Sequence, residues 1–293
     1  MSKKRTNLNC QGMSRRSKSL MSAIVADPNY VIISTDLASA EPTITAHYSQ
    51  DPNYRLAVVD MQGKAPYYNE DGMLVISDIY LMVASRFPLW SDAISEIFNS
   101  MYDGKTFAEK WLEDSEYLTK GPLKKIRNIA KTLALALAYG VGPKKMVMIS
   151  LQAGYPLTVK QAKEFFKLYW DTFPRVKILS DFLAEKFKRD GYLQTDFGYC
   201  LYPDADYKCL NAVIQSTVSG IINYFSYKFF RKVPEVFFNT IIHDELIFQV
   251  PINDKDRIKE VFFDCVKELN DELGWSVDIG FGWKEGMNYY EAK

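Results

Sequence analysis

The 293-residue sequence predicts an α+β protein whose helices and strands come in blocks and do not alternate strictly. Three observations carry that expectation. The apolar run YVIIS, Tyr30 to Ser34, reads as a short buried strand. The segment VFFNTIIHDELIFQV, from Val236 to Val250, reads as two apolar strands around a polar tripeptide. Between them lies helical periodicity, clearest from Pro122 to Tyr139, where Leu123, Ile126, Ala130, Leu133 and Leu137 form one apolar stripe.

The other elements follow in order. The first thirty residues are polar and irregular. A helix is expected from near Glu41, with Ser39 as its cap and Pro42 in the first turn, where no N–H is needed. Residues 50–75 hold Asp, Pro, Gly and Asn signals and read as a loop or insertion. SDIYLMVASRF reads as a helix capped by Ser77. Gly121-Pro122 opens the helix that follows, and Gly140 with Gly142-Pro143 closes it. Residues 159–190 read as one long helix, and GYLQTDFGYCLY, Gly191 to Tyr202, alternates like a β-ribbon. Leu210 to Phe230 and Asp254 to Glu272 are expected helices, and WSVDIGFGW is an expected last strand.

Composition sets outer bounds. Hydrophobic residues at 47% and charged residues at 25% are ordinary for a soluble globular chain. Thirty-six basic residues balance 36 acidic ones, which argues against a uniformly basic nucleic-acid binder but leaves room for a local groove. Lys3, Lys4, Arg5, Arg15, Arg16 and Lys18 cluster early, and Lys124, Lys125, Arg127 and Lys131 cluster mid-chain; Lys186, Lys188 and Arg189 read as a solvated face. Cys10, Cys200, Cys209 and Cys265 form no C-x-x-C pair, so neither a zinc site nor a disulfide framework is suggested. A reducing cytoplasm is expected, the host's if the source is viral. No apolar run spans a bilayer and the polar start is not a signal peptide, so no membrane partner is expected.

Two constellations bear on chemistry. Asp36 ends a buried-looking strand and Asp244 lies in a turn between apolar runs, places where a carboxylate is costly without a compensating cation or hydrogen bonds. Two convergent carboxylates can hold paired divalent ions for an in-line phosphoryl displacement, and Mg²⁺ suits such a site. Taken singly, each Asp is more often a turn residue or a helix cap. The second constellation is Arg127, Lys131, Leu135 and Tyr139, spaced four apart on a stripe about 18 Å long. Two cations a turn apart can grip a triphosphate, and an aromatic beyond them can stack on a base. A solvated basic face with a buried Tyr fits the same spacing.

The order and spacing of these residues resemble the family A DNA polymerases. DLASAEPTITAH, Asp36 to His47, is similar to that family's first polymerase motif. RNIAKTLALALAYG, Arg127 to Gly140, is similar to the second, and His243-Asp244-Glu245 to the third. NLN at Asn7, the 191–202 ribbon, NAVIQ from Asn211 to Gln215, and the closing GMNYYEAK agree as well, so the resemblance covers nearly the whole chain. It implies a right-hand fold: an antiparallel palm sheet bearing the carboxylates at 1–50 and 191–293, helical fingers at 51–190, and no thumb.

The resemblance also implies roles. Asp36 and Asp244 would bind two Mg²⁺ ions, or Mn²⁺ in their place, with Glu245 beside the second. Glu41 would sit against the sugar and exclude a 2′-hydroxyl. Arg127 and Lys131 would hold the incoming dNTP, with Lys131 able to protonate the leaving pyrophosphate; Leu135 and Tyr80 stand where the family has further nucleotide contacts. Tyr139 and Gly140 would close over the nascent pair, and Asn211, Gln215 and His243 would touch primer-template DNA. Asn211 and Gln215 read equally as polar helix positions, and His243 as a turn histidine. The sequence departs from the family pattern at Thr43, Tyr80, Leu135, Tyr199 and Tyr207, mostly by losing a basic residue, so weaker intrinsic DNA affinity is expected. Only 35 residues precede Asp36. Either the sequence is a piece of a longer polymerase, or the polymerase is split, in a bacteriophage for example, with thumb and exonuclease on a second polypeptide. Two other readings are a single-subunit RNA polymerase, disfavoured by Glu41 and NAVIQ, and a non-catalytic DNA-binding scaffold, disfavoured by intact Asp36, Lys131 and Asp244.

Overall fold

The computed structural model describes residues 18–293. The expected features at Asn7 and Cys10 and the basic residues Lys3, Lys4, Arg5, Arg15 and Arg16 lie outside them. The elements that matter, in chain order, are β1 (Tyr30–Asp36), α1 (Ala40–Ser49), α2 (Ile79–Ala84), α3 (Lys124–Ala138), α4 (Val159–Thr172), α5 (Pro174–Asp190), α6 (Cys209–Lys232), β2 (Phe237–Ile242), β3 (Glu245–Pro251), α7 (Lys255–Leu273) and β4 (Lys284–Gly286). No helix among the described residues is long and apolar enough to cross a membrane. Two compact units result: the chain up to Ala40 with Thr217–Lys293, and Glu41–Ser216. The sequence reading put its boundaries at 50 and 190.

The first unit is built on a four-stranded antiparallel sheet in the order β4-β1-β3-β2. Val31 to Thr35 are all buried, so both faces of β1 are covered. This is why the strand reads as a continuous apolar run and not an alternation. Phe225 and Phe229 of α6, Phe262 of α7 and Phe248 of β3 are buried together, with Phe225 and Phe262 ring centres 4.8 Å apart and Phe229 and Phe248 5.4 Å apart. Burying each such side chain stabilises by roughly 1.5–3 kcal/mol. A second cluster joins Met21, Ile32, Ile247, Tyr289 and Ala292. The two-residue turn between β2 and β3 is His243-Asp244, with His243 in the left-handed region at φ 59°. Histidine is among the residues that enter that region more often than most.

The second unit is helical. α2 packs on α3, Phe87, Trp90 and Phe165 form one fully buried aromatic group, and Phe173 another with Tyr54 and Tyr169. The expected stripe of α3 is inward at Leu123, Ala130, Leu133 and Leu137, while Ile126 is half-buried. The expected ribbon forms as Leu193–Gln194 paired with Cys200–Leu201.

Four expectations are corrected. Residues 159–190 are two helices, because Pro174 opens α5 and forces Phe173 out of helical geometry, at φ −125° and ψ 65°. Residues 50–75 are not a loop throughout. Pro52–Arg55 is α-helical and Leu56–Asp60 follows as a π-turn, started by the buried Asp51 as N-cap. The cap of α2 is Asp78, not Ser77. The segment 275–283 is no strand: its backbone meets the sheet through one isolated bridge, Leu37 with Phe281, and the ladder resumes only at β4. Gly280 and Gly282 give it little side chain to pack, and Asn270 takes up the backbone of Ile279.

Asp51 accepts bonds from the backbone N–H groups of Asn53, Tyr54 and Arg175. Replacing Asp51 with Ala leaves three backbone donors without their acceptor, the one at Tyr54 buried. Denaturant unfolding should show a loss of about 2–3 kcal/mol.

Candidate functional site

Each unit carries one group of candidate side chains. In the first unit, β1 and β3 pair from Tyr30 opposite Pro251 to Asp36 opposite Glu245. The ladder places Asp36 at the strand end and Asp244 in the adjoining turn, where the Leu37 N–H donates to the Asp244 carbonyl at 3.1 Å. Asp36 is exposed and Asp244 half-buried. Among the described residues neither carboxylate has an ion pair or a side-chain hydrogen bond. The Gly282 N–H donates to the Asp36 carbonyl at 2.8 Å, and a Cβ on Gly282 would lie 2.6 Å from Asp36 Oδ1. Space beside this carboxylate is therefore kept by a glycine.

Glu245 differs from its neighbours. It is 6% exposed and fully engaged. Ser34 Oγ donates to Oε1 at 2.6 Å, Tyr289 Oη donates to Oε2 at 3.0 Å, and Lys293 Nζ pairs with Oε2. Ser34, Tyr289 and Lys293 escaped the sequence reading. Ser34 had a signal, since it lies two residues before Asp36 and so faces the same way; Tyr289 and Lys293, more than 40 residues from Glu245, had none.

Two free carboxylates fit a Mg²⁺-type site, because Mg²⁺ takes one or two protein carboxylates and fills its shell with water and substrate phosphates. The described residues hold no cluster of three or more acidic, His or Cys side chains arranged as a metal cage.

In the second unit, Asp78 ties two elements together. Its Oδ1 accepts from the Tyr80 and Leu81 N–H groups, capping α2, and its Oδ2 accepts from Arg127 Nε at 2.5 Å. The Arg127 guanidinium lies 5.5 Å and Lys131 Nζ 5.8 Å from the centre of the Tyr80 ring. Burial, then the Asp78 charge, hold the Tyr80 phenol far above its ordinary pKa, so it stays neutral. Lys131 is exposed. Lys125, on another face of α3, sits over Tyr155.

A third group surrounds Glu41. Gln215 Nε2 donates to Glu41 Oε1 at 3.2 Å and to Tyr139 Oη at 2.6 Å, and Tyr139 Oη reaches Glu41 Oε1 at 3.4 Å. Burial and the Glu41 carboxylate raise the Tyr139 pKa. Leu135, Asn211, Tyr80 and Glu41 line one small cavity with Tyr54 and Tyr169. Gly140 has φ 72°, and a Cβ there would lie 2.3 Å from Tyr207 Cδ2, so only glycine fits behind Tyr139. The structure thus groups Glu41 with Tyr139 and Gln215, and lines one cavity with Glu41, Leu135, Asn211 and Tyr80, the ring over which Arg127 and Lys131 lie. His243 stands exposed in the β2–β3 turn.

Comparison with known proteins identifies the family and the fold. The profile of DNA polymerase family A matches residues 94–291. DNA polymerase I of Caldicellulosiruptor bescii is 27% identical over 185 residues, 57% of this chain and 21% of that protein. The thermostable DNA polymerase I of Thermus filiformis is 23% identical over 261 residues, covering 81% of this chain and 30% of that one. The DNA polymerase of Escherichia phage T5 is 24% identical over 202 residues, 65% and 20% of the two chains. The chain spans 20–30% of the length of these relatives. Among solved structures, the POL domain of Pol1 from M. smegmatis, in complex with DNA primer-template and dNTP, aligns with a TM-score of 0.71 at 19% identity. That alignment covers 98% of this chain and 45% of the other, and shows a shared polymerase-domain fold.

Asp78 is the residue on which the α2–α3 arrangement turns. Asp78→Ala removes the cap and leaves Arg127 without its buried partner. Thermal or denaturant unfolding should show a loss of about 2–4 kcal/mol.

Proposed function

This chain belongs to DNA polymerase family A, and on that premise we propose that it is a template-directed DNA polymerase catalytic domain that adds deoxynucleotides to a primer 3′-hydroxyl. The observation that carries the reading is the contrast on the β1–β3 sheet end: Asp36 and Asp244 have no protein partner for their carboxylates among the described residues, while the adjacent Glu245 is saturated. Asp36 stands directly opposite Glu245 in the ladder, where like charges repel, and Asp244 follows in the adjoining turn. A cation site accounts for both.

Asp36 and Asp244 would hold the divalent ions, Mg²⁺ or Mn²⁺, which supply neutralisation of charge on the attacking and leaving oxygens. Arg127 and Lys131 bind and orient the triphosphate. Arg127 does so from a fixed position, because Asp78 already holds its Nε; Lys131, exposed on a flexible stem, is free to deliver a proton to the departing pyrophosphate. The Glu41 carboxylate, fixed by Gln215 and Tyr139, presents a rigid acceptor wall to the sugar. Leu135 supplies only an aliphatic wall, so Glu41 carries most of the discrimination against a 2′-hydroxyl. Asn211, Gln215, Gly140 and His243 are assigned to contacts with primer-template DNA.

A second polypeptide bearing thumb and exonuclease, in a split arrangement such as a bacteriophage polymerase would have, belongs to the same proposal. Its support is the outer edge of the sheet. Among the described residues β2 pairs only with β3, and Phe237 and Phe238 on it are more than half exposed, a surface that recruits a further strand.

Primer extension with dNTPs and Mg²⁺ tests the activity. Asp36→Ala and Asp244→Ala should each lower nucleotide addition by about 10³-fold, roughly 4 kcal/mol of barrier, without lowering the unfolding midpoint. Extension at near wild-type rate by either variant removes the metal assignment.

Sugar selection is a separate readout. Glu41→Ala should raise ribonucleotide incorporation relative to deoxynucleotide by about tenfold or more, equivalent to roughly 1.4 kcal/mol of lost discrimination. An unchanged ratio in competition assays takes Glu41 out of this role.

A further inference from the structure

The buried charge of Glu245 has a consequence for the two aspartates beside it. Asp36, Asp244 and Glu245 place three carboxylates at one strand end, with Asp36 and Glu245 directly opposite in the ladder. Directly opposed residues of an antiparallel pair bring their Cβ atoms to about 4.5–5.5 Å, where like charges repel. A buried carboxylate also needs a counter-charge and bonds to its remaining lone pairs. All of these come from one segment and one strand. Ser34 engages Oε1, while Tyr289 and Lys293 engage Oε2.

The segment after β4 is built to deliver them. Lys293 Nζ also donates to Tyr289 Oη at 2.7 Å and lies 4.9 Å from the centre of the Tyr289 ring. Lys284 Nζ donates to the Lys293 carbonyl at 2.7 Å. Tyr289 and Ala292 are buried against Ile32 and Ile247, on the two strands that carry the carboxylates. Asn288 Oδ1 caps the turn at Glu291 N, and the Ala292 N–H donates to the Asn288 carbonyl. Gly286 permits the close return of the chain: a Cβ there would lie 2.5 Å from Glu291 Cβ and 2.6 Å from Ala292 N.

We propose that Lys293 and Tyr289 form an internal counter-ion latch that neutralises Glu245 and turns it away from the metals, so that Asp36 and Asp244 alone present charge to a divalent cation. The two residues are positioning residues, acting through Glu245. The role differs from a packing role in what it couples: removing the Lys293 charge matters only while Glu245 is charged. The inference rests on the proposed polymerase reading for its metal half and on the geometry alone for its latch half.

The test is a double-mutant cycle on the full chain with Lys293→Met, Glu245→Gln and the pair, read in two ways. The first readout is thermal unfolding in chelator, with no metal or DNA. Lys293→Met should lower the midpoint by about 5–10 °C, the effect of stranding a buried charge, and Glu245→Gln in the same chain should restore most of it. A double variant no more stable than Lys293→Met overturns the latch, whatever the chain catalyses. The second readout is Mn²⁺ binding followed by the spin-resonance signal of free Mn²⁺. Lys293→Met should change the Mn²⁺ dissociation constant by at least about fivefold, and the double variant should return it towards wild type. Restored stability with Mn²⁺ affinity identical in all four proteins overturns the link between latch and metal site. Absence of Mn²⁺ binding in the wild type, with the stability coupling present, overturns that link too and tells against the polymerase reading while leaving the latch standing.

Discussion

The register between β1 and β3 is the constraint on which the carboxylate site depends. Antiparallel pairing from Tyr30 opposite Pro251 to Asp36 opposite Glu245 sets the acidic groups together at one strand end and puts Ser34 within reach of Glu245. A slip of one residue would turn every side chain of the strand to the opposite face. Ser34 would leave Glu245, and the buried carboxylate would lose a bond it needs. The aromatic packing of Phe225, Phe229, Phe248 and Phe262 and the cluster around Ile32 and Ile247 hold this register from both faces of the sheet. Hydrophobic burial in this unit thus sets the electrostatics at its edge.

In the helical unit the organising groups are polar. Asp78 is both the cap of α2 and the partner of Arg127, so one buried carboxylate aligns a helix start with a cation on α3. Glu41, Gln215 and Tyr139 bring together residues from α1, α6 and the end of α3. Their closure depends on Gly140, where the chain turns at positive φ against Tyr207. Tyr80, between Arg127 and Lys131, offers a neutral aromatic face that stabilises cations without competing for an anion.

Much of this was legible in the sequence, and the reasons are local. The β2–β3 hairpin shows as two apolar runs around His243-Asp244, and α3 as a 3.6-residue stripe closed by glycines. Motif order alone singles out Glu41, Arg127, Lys131, Tyr139 and Gln215, and the fold places Glu41 with Tyr139 and Gln215. What escaped was of two kinds. Some signals were present and misread: Pro174 inside a helical pattern, Asp51-Pro52 as a cap and first-turn pair, and Asp78 beside the equally plausible Ser77. Others depend on contacts far apart in sequence. Nothing local to Glu245 tells it from Asp244; burial against Tyr289 and the charge of Lys293 separate them, and both come from a segment more than 40 residues away.

Crystallography with Mn²⁺ measures directly the separation between the two carboxylates that have no partner among the described residues and the one that is neutralised. Crystals of the chain grown with Mn²⁺ and a non-reactive nucleoside triphosphate, with data at the manganese absorption edge, reveal the ion by its anomalous signal. Peaks are expected within coordination distance of the Asp36 and Asp244 carboxylates, with Glu245 still bound to Ser34, Tyr289 and Lys293. Manganese coordinated by Glu245, or none at Asp36 and Asp244 with the nucleotide bound, would contradict it.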